Sequence, residues 1–169
     1  MTTSLYDFTV PALTRALTNL SRQLEKAKTH AAQKKVDFSA FAQARLIADM
    51  LPLTAQVQIA CDNAKGAVAR LTGIEAPKHE DNEKTYEELQ ARIAKTLDFI
   101  GTAKREQFAG AETREVVLKF PSVTLSFNGQ DYVTKFLLPN FYFHVSMAYA
   151  LLRSNGVELG KSDFMGAIQ

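Results

Sequence analysis

The chain has 169 residues, 46% hydrophobic and 22% charged, which fits one domain over residues 1–169 with its own core and excludes a disordered chain. Its net charge of +2 is spread with no block of like sign, so neither a nucleic-acid groove nor a polybasic membrane patch is expected. The one cysteine, Cys61, excludes an internal disulfide and any CxxC pair and points to a reducing, cytoplasmic compartment.

The N-terminal Met1-Thr2-Thr3-Ser4-Leu5-Tyr6-Asp7 lacks the basic and apolar regions of a signal peptide. No apolar run approaches the roughly 18 residues a membrane span needs. A first helix is expected from about Ser4 to Lys34, where Leu13, Leu17, Leu20, Leu24, Ala27 and Ala31 repeat at four-three spacing on one stripe. Pro11 is tolerated only near a helix start and otherwise kinks it. Val36 to Met50 reads as a connection, with Phe38 and Phe41 tucking a helical turn onto the core.

A second helix is expected from Pro52 to Thr72, with Leu53, Val57, Ala60, Ala64, Ala67 and Leu71 inward and Gly73 as its stop. Ile74 to Glu83 is a polar loop. A third helix opens with the capping box Thr85-Tyr86-Glu87-Glu88 and buries Tyr86, Leu89, Ile93, Leu97 and Ile100. Glu88 and Arg92 are spaced as an i,i+4 pair on a solvated flank.

From Arg114 to Phe136 the pattern turns β-like, in Val116-Val117-Leu118 and Val123 to Phe127. Pro121-Ser122 predicts one turn and Asn128-Gly129 a second, giving two or three short strands. The fourth helix is expected from Pro139 or Asn140 to about Asn155, with Phe141, His144, Ala148 and Leu151 on one face. Val157 to Gln169 reads as a closing loop anchored by Leu159, Phe164 and Met165. Four amphipathic helices burying four stripes predict an all-α four-helix bundle with a short β-hairpin insertion between helices 3 and 4.

Nucleophile-elbow, phosphate-loop and HExxH patterns are absent. His30 falls at the polar end of helix 1 and His79 in the charged loop. His144 lies on an apolar face, where a polar ring needs a partner. It is read either as a hydrogen-bonded core histidine or as a metal ligand or general base. Cys61 is read as a buried apolar residue, and Arg153 as a solvated cation at a helix end.

The runs Leu138-Pro139-Asn140-Phe141-Tyr142-Phe143-His144 and Gln56-Val57-Gln58-Ile59-Ala60-Cys61-Asp62, with Asp49-Met50-Leu51-Pro52-Leu53 and Ser4-Leu5-Tyr6, resemble an uncharacterised bacterial family. That family falls within the DinB/YfiT-like superfamily of four-helix bundles, many of them metalloenzymes. The resemblance implies a three-histidine centre, one ligand from helix 2 and an HxxxH pair from the last helix. Such a set leaves an open position for water or substrate. Here only His144 matches, the sole candidate metal ligand. Ala148 stands four residues on, and Gln56 or Gln58 at the helix-2 position is a poor ligand for zinc or nickel.

Gln56, Asp49, Asp62 and Tyr149 are therefore read as the candidate pocket around a candidate catalytic His144. A carboxylate partner would raise its basicity; Gln56 alone would make a simpler structural bond. The expected protein is a DinB-like bundle without a complete metal site. The alternative is a metal- or thiol-dependent transferase or hydrolase acting on a small molecule at His144, with zinc or nickel as the metal. Members of the superfamily often pair, so a homodimer is expected; nucleic-acid and membrane partners are not.

Overall fold

Helix α1 (Leu5–Lys34) starts where Ser4 and Asp7 close a capping box, the Ser4 N–H donating to the Asp7 carboxylate at 3.0 Å. Its predicted stripe is buried from Leu13 through Ala31. Pro11 lies inside the helix, so the Asp7 carbonyl gets no i+4 backbone donor. The computed structural model describes residues 3–167; Met1, Thr2, Ile168 and Gln169, which the expected domain and leader readings include, lie outside the described residues.

The connection forms the short helix α2 (Ser39–Ala42), which buries Phe41 and sets Phe38 edge-on to Tyr86 with ring centroids 5.6 Å apart. Helix α3 (Leu53–Thr72) ends at Gly73, whose φ of 82° is left-handed. Helix α4 (Tyr86–Gly101) carries the predicted capping box, and a 3₁₀ turn (Arg105–Phe108) follows.

Strands β1 (Glu115–Lys119) and β2 (Thr124–Asn128) pair antiparallel, Glu115 opposite Asn128 and Lys119 opposite Thr124. The turn at Pro121-Ser122 is closed by the Phe120 N–H on the Val123 carbonyl at 2.9 Å. Asn128-Gly129 does not turn a second hairpin. The Asn128 side chain accepts the Asp131 N–H at 2.8 Å and caps a helix. A Cβ on Gly129 would fall 1.8 Å from the Ala111 carbonyl oxygen, so close backbone approach demands the glycine.

The last helical run starts at that cap rather than at Pro139 or Asn140. It passes through α5 (Gly129–Asp131) and a π-helical segment (Tyr132–Leu137) into α6 (Leu138–Ser154). The missing N–H of Pro139 falls at the first turn of α6, where π pairing gives way to α pairing. The tail forms α7 (Lys161–Met165), tied to α1 by Asn19 and Gln23 donating to the Phe164 and Asp163 carbonyls at 3.0 and 3.1 Å. Leu159 is buried and Phe164 packs on Tyr149, but Met165, expected as an anchor, is exposed.

Helices α1, α4, α3 and α6 pack around a ring in that order, each on the next, and α6 closes back on α1. One hydrophobic cluster runs through all four and reaches the hairpin at Val116 and Leu118. The fold is thus an all-α bundle with a hairpin inserted between its third and fourth long helices. It leaves α3 flanked by two seams, one with α6 and one with α4, and each seam carries a polar cluster.

Candidate functional site at the seam of α3 and α6

Gln56, Asn63 and Arg70 recur every seven residues of α3, so they share one face. Each meets a polar group of the last helical run. Gln56 meets His144 at 2.7 Å, Asn63 meets Asn140 at 3.1 Å, and Arg70 meets the Tyr132 hydroxyl at 3.4 Å. Because α3 ascends as the partner descends, the two helices are antiparallel here. Gln56 is 2% exposed and His144 7%.

The protonation of His144 follows from its neighbours. The Gln56 amide nitrogen donates to the Leu51 carbonyl at 3.1 Å, so its oxygen faces the ring. That oxygen can only accept, so Nδ1 carries the hydrogen and Nε2 keeps its lone pair. Burial holds the His144 pKa below the usual histidine value, which favours the neutral ring.

Of the expected pocket residues, the structure brings Gln56 and His144 together. Asp49 is exposed in the loop before α3. Asp62 pairs with Arg92 and Lys65, both at 2.9 Å. Tyr149 lies edge-on to Phe164, with ring centroids 5.8 Å apart. Among the described residues none of these three bonds to His144. Sequence reading missed Asn63 and Asn140. Their signals were the seven-residue step from Gln56 and the position four before His144, on the same face as Ala148 four after.

The donor set does not fit the three-histidine centre that the resemblance implies. Ala148 is fully buried and presents a methyl group. The amide oxygens of Gln56 and Asn63 are taken by His144 and Asn140, and among the described residues no three His, Cys, Asp or Glu gather to hold a metal ion.

The opposite seam of α3 is built differently. Arg92, expected on a solvated flank with Glu88, is instead 2% exposed. Its guanidinium meets Asp62 at 2.9 Å, Asp81 at 2.9 Å and Glu83 at 3.0 Å, and donates to the Gln58 and Glu80 carbonyls at 3.3 Å. Glu88 turns away and closes the capping box on the Lys84 and Thr85 N–H groups at 2.7 and 2.9 Å. Gln58 donates to Glu83 at 2.8 Å. Three carboxylates thus converge on one buried arginine.

Burial works against the charge of Arg92, but the Glu83 hydrogen bond and the charges of Asp62 and Glu83 outweigh it and hold its pKa above the ordinary value. Burial likewise opposes ionisation of Glu83, and the hydrogen bonds from Gln58 and Arg92 reverse that, keeping its carboxyl below the usual range. Burial pushes the nearby Cys61 thiol up to about 12, so it is not a thiolate nucleophile. His30 lies edge-on to Phe41 with ring centroids 6.0 Å apart, and Arg153 donates to the Val157 carbonyl at 3.2 Å.

The bundle and its seams define a DinB-like helical fold. Residues 5–165 match the model of the family described as a domain of unknown function (DUF1993), and the chain belongs to that family. A DinB family member protein from Shewanella denitrificans, known from a crystal structure, is similar to it at 43% identity, over 97% of this chain and 93% of that one, with a TM-score of 0.89. No curated protein matches. No helix among the described residues is long and apolar enough to cross a membrane.

Proposed function

We propose that this DUF1993 chain is a DinB-like bundle that works without the three-histidine metal centre, its His144 serving as a hydrogen-bonded element of the seam. The observation that carries this reading is the 2.7 Å bond between His144 and Gln56, with Gln56 itself tied to Leu51. Ala148 adds to it, since no ligand stands one turn on. The test is metal analysis of protein purified without a histidine tag. The expected content is far below one ion per chain and does not change in His144→Ala. Stoichiometric zinc, nickel or iron that disappears in His144→Ala would overturn the proposal.

A second reading makes His144 the general base of a small-molecule transferase or hydrolase, thiol-dependent or not. It is supported by the neutral ring, whose bare Nε2 can accept a proton. Turnover of a thiol-bearing or ester substrate, lost in His144→Ala and kept in Tyr149→Phe, would favour it over the first. We also propose a cytoplasmic homodimer; sedimentation at several concentrations tests the assembly.

A further inference from the structure

The hairpin has two open edges. Among the described residues no third strand joins β1 or β2, and no backbone group of residues 115–119 bonds to backbone outside the hairpin. The phase of the ladder shows which groups are free. The Phe120 N–H donates to the Val123 carbonyl at 2.9 Å, so Phe120 and Val123 form a hydrogen-bonded pair. Antiparallel pairs alternate, so Leu118 with Leu125 and Val116 with Phe127 are hydrogen-bonded pairs as well. Glu115, Val117 and Lys119 are the intervening residues, and their N–H and C=O groups point away from β2 along the open edge.

The side chains of the same three residues share the outer face of β1, and all three are exposed, Val117 at 42%. Edge strands are commonly blunted by charge or by a covering element. A foreign apolar strand added here would bring no opposite charge to Glu115 or Lys119, and neither has an ion-pair partner among the described residues. A strand that runs antiparallel with the reverse order of charges satisfies both, and β1 itself is such a strand. Turned about a twofold axis at Val117, a second copy sets the partner's Lys119 opposite Glu115, the partner's Glu115 opposite Lys119, and the partner's Val117 opposite Val117. A register slid by two residues puts the partner's Val117 opposite Glu115 and loses both charge pairs. The outward residues of β2, Thr124, Ser126 and Asn128, are uncharged, so no charge pairing fixes a register on that edge.

We infer that β1 is the contact through which two copies of this chain associate, each β1 edge pairing antiparallel with the other to make a four-stranded sheet in the order β2-β1-β1-β2. The inference rests on the homodimer reading and names its surface. A five-residue edge is a small contact, so the dimer is expected to dissociate on dilution.

The test is sedimentation equilibrium of the full chain at low ionic strength, over a concentration series, for the natural sequence and its charge variants. Glu115→Lys and Lys119→Glu each create two like-charge contacts by symmetry, and each should raise the dissociation constant by about tenfold. Both positions are exposed, and far-UV circular dichroism should show the fold unchanged. The variant carrying both changes restores opposite charges across the axis and should dimerise like the natural chain. Val117→Pro removes an N–H that faces the partner rather than β2, and should abolish the dimer while the hairpin ladder stays. A dimer that none of these changes weakens overturns the β1 contact and leaves the homodimer reading standing. Weakening by both single charge changes without recovery in the double variant overturns the register and the contact with it. A chain that stays monomeric into the millimolar range overturns both the contact and the homodimer.

Discussion

The two seams of α3 solve the same problem with opposite materials. Toward α6 the helix offers the amides of Gln56 and Asn63, answered by the neutral His144 ring and the Asn140 amide, and Arg70 meets only the Tyr132 hydroxyl beyond them. Toward α4 it offers Asp62 and the Gln58 carbonyl, and a buried arginine answers those together with two carboxylates of the following segment. The neutral seam joins two long helices that also share a continuous apolar interface, so its hydrogen bonds select a register more than they hold the contact. The charged seam fastens a polar, irregular segment with little core of its own, so its ion pairs carry more of the local stability. Losing one partner should therefore cost far more at the charged seam.

The largest expected effect tests that directly. Arg92→Ala removes the cation beside the nearly buried Glu83 carboxylate, frees Asp81 and leaves Asp62 to Lys65 alone, and should destabilise the chain by about 3–5 kcal/mol in denaturant unfolding. A cost no greater than that of a surface substitution would erase the contrast. Next comes Gln56→Leu, which leaves the buried Nδ1–H of His144 without an acceptor, at about 1–3 kcal/mol. Adding His144→Leu should recover part of that loss, because both partners are then apolar. A double variant as costly as the sum of the single changes would show that the bond contributes no coupling.

Acidification separates His144 from Glu83 by pH window. His144 has a folded pKa below its ordinary 6.5, so its contribution is complete above that value and falls away as the pH drops below it, where the unfolded chain takes up the proton first. Glu83 has a folded pKa below its ordinary 4.5, so its contribution persists through that first window and is lost only as the pH falls below 4.5. His79 titrates in the first window with the same sign. Stability measured from pH 7 to 5 should fall less steeply in the Gln56→Leu, His144→Leu double variant than in the natural chain; identical slopes would remove His144 from that window. The smallest effect is at Asp49, exposed and outside both seams. Asp49→Asn should change stability by no more than about 0.5 kcal/mol.

The helices were legible because each buries a stripe at helical spacing, and the capping boxes at Ser4 and Thr85 mark two of their starts. The first hairpin turn was legible at Pro121-Ser122. Asn128-Gly129 misled, because the same dipeptide that turns a hairpin also caps a helix and allows a close backbone approach, and only the tertiary neighbour Ala111 decides between them. His144 stands out because a polar ring on an apolar face demands a partner, and Gln56 is one of the partners the sequence offers. Arg92 did not stand out. Its spacing from Glu88 satisfies a local helix rule, and nothing local reveals that the 74–85 segment folds back over it with Asp81 and Glu83. Long-range ion pairs leave no periodic trace, and for the same reason Asp62 was read toward His144 rather than toward Arg92.

The most direct measurement is the ring ¹⁵N spectrum of His144 at neutral pH, before and after addition of zinc or nickel. The hydrogen-bonded seam predicts a neutral ring with its hydrogen on Nδ1, a bare Nε2, and no change when the metal is added at one equivalent. A ring with its hydrogen on Nε2, or an Nε2 signal that moves or broadens stoichiometrically with the metal, would contradict it.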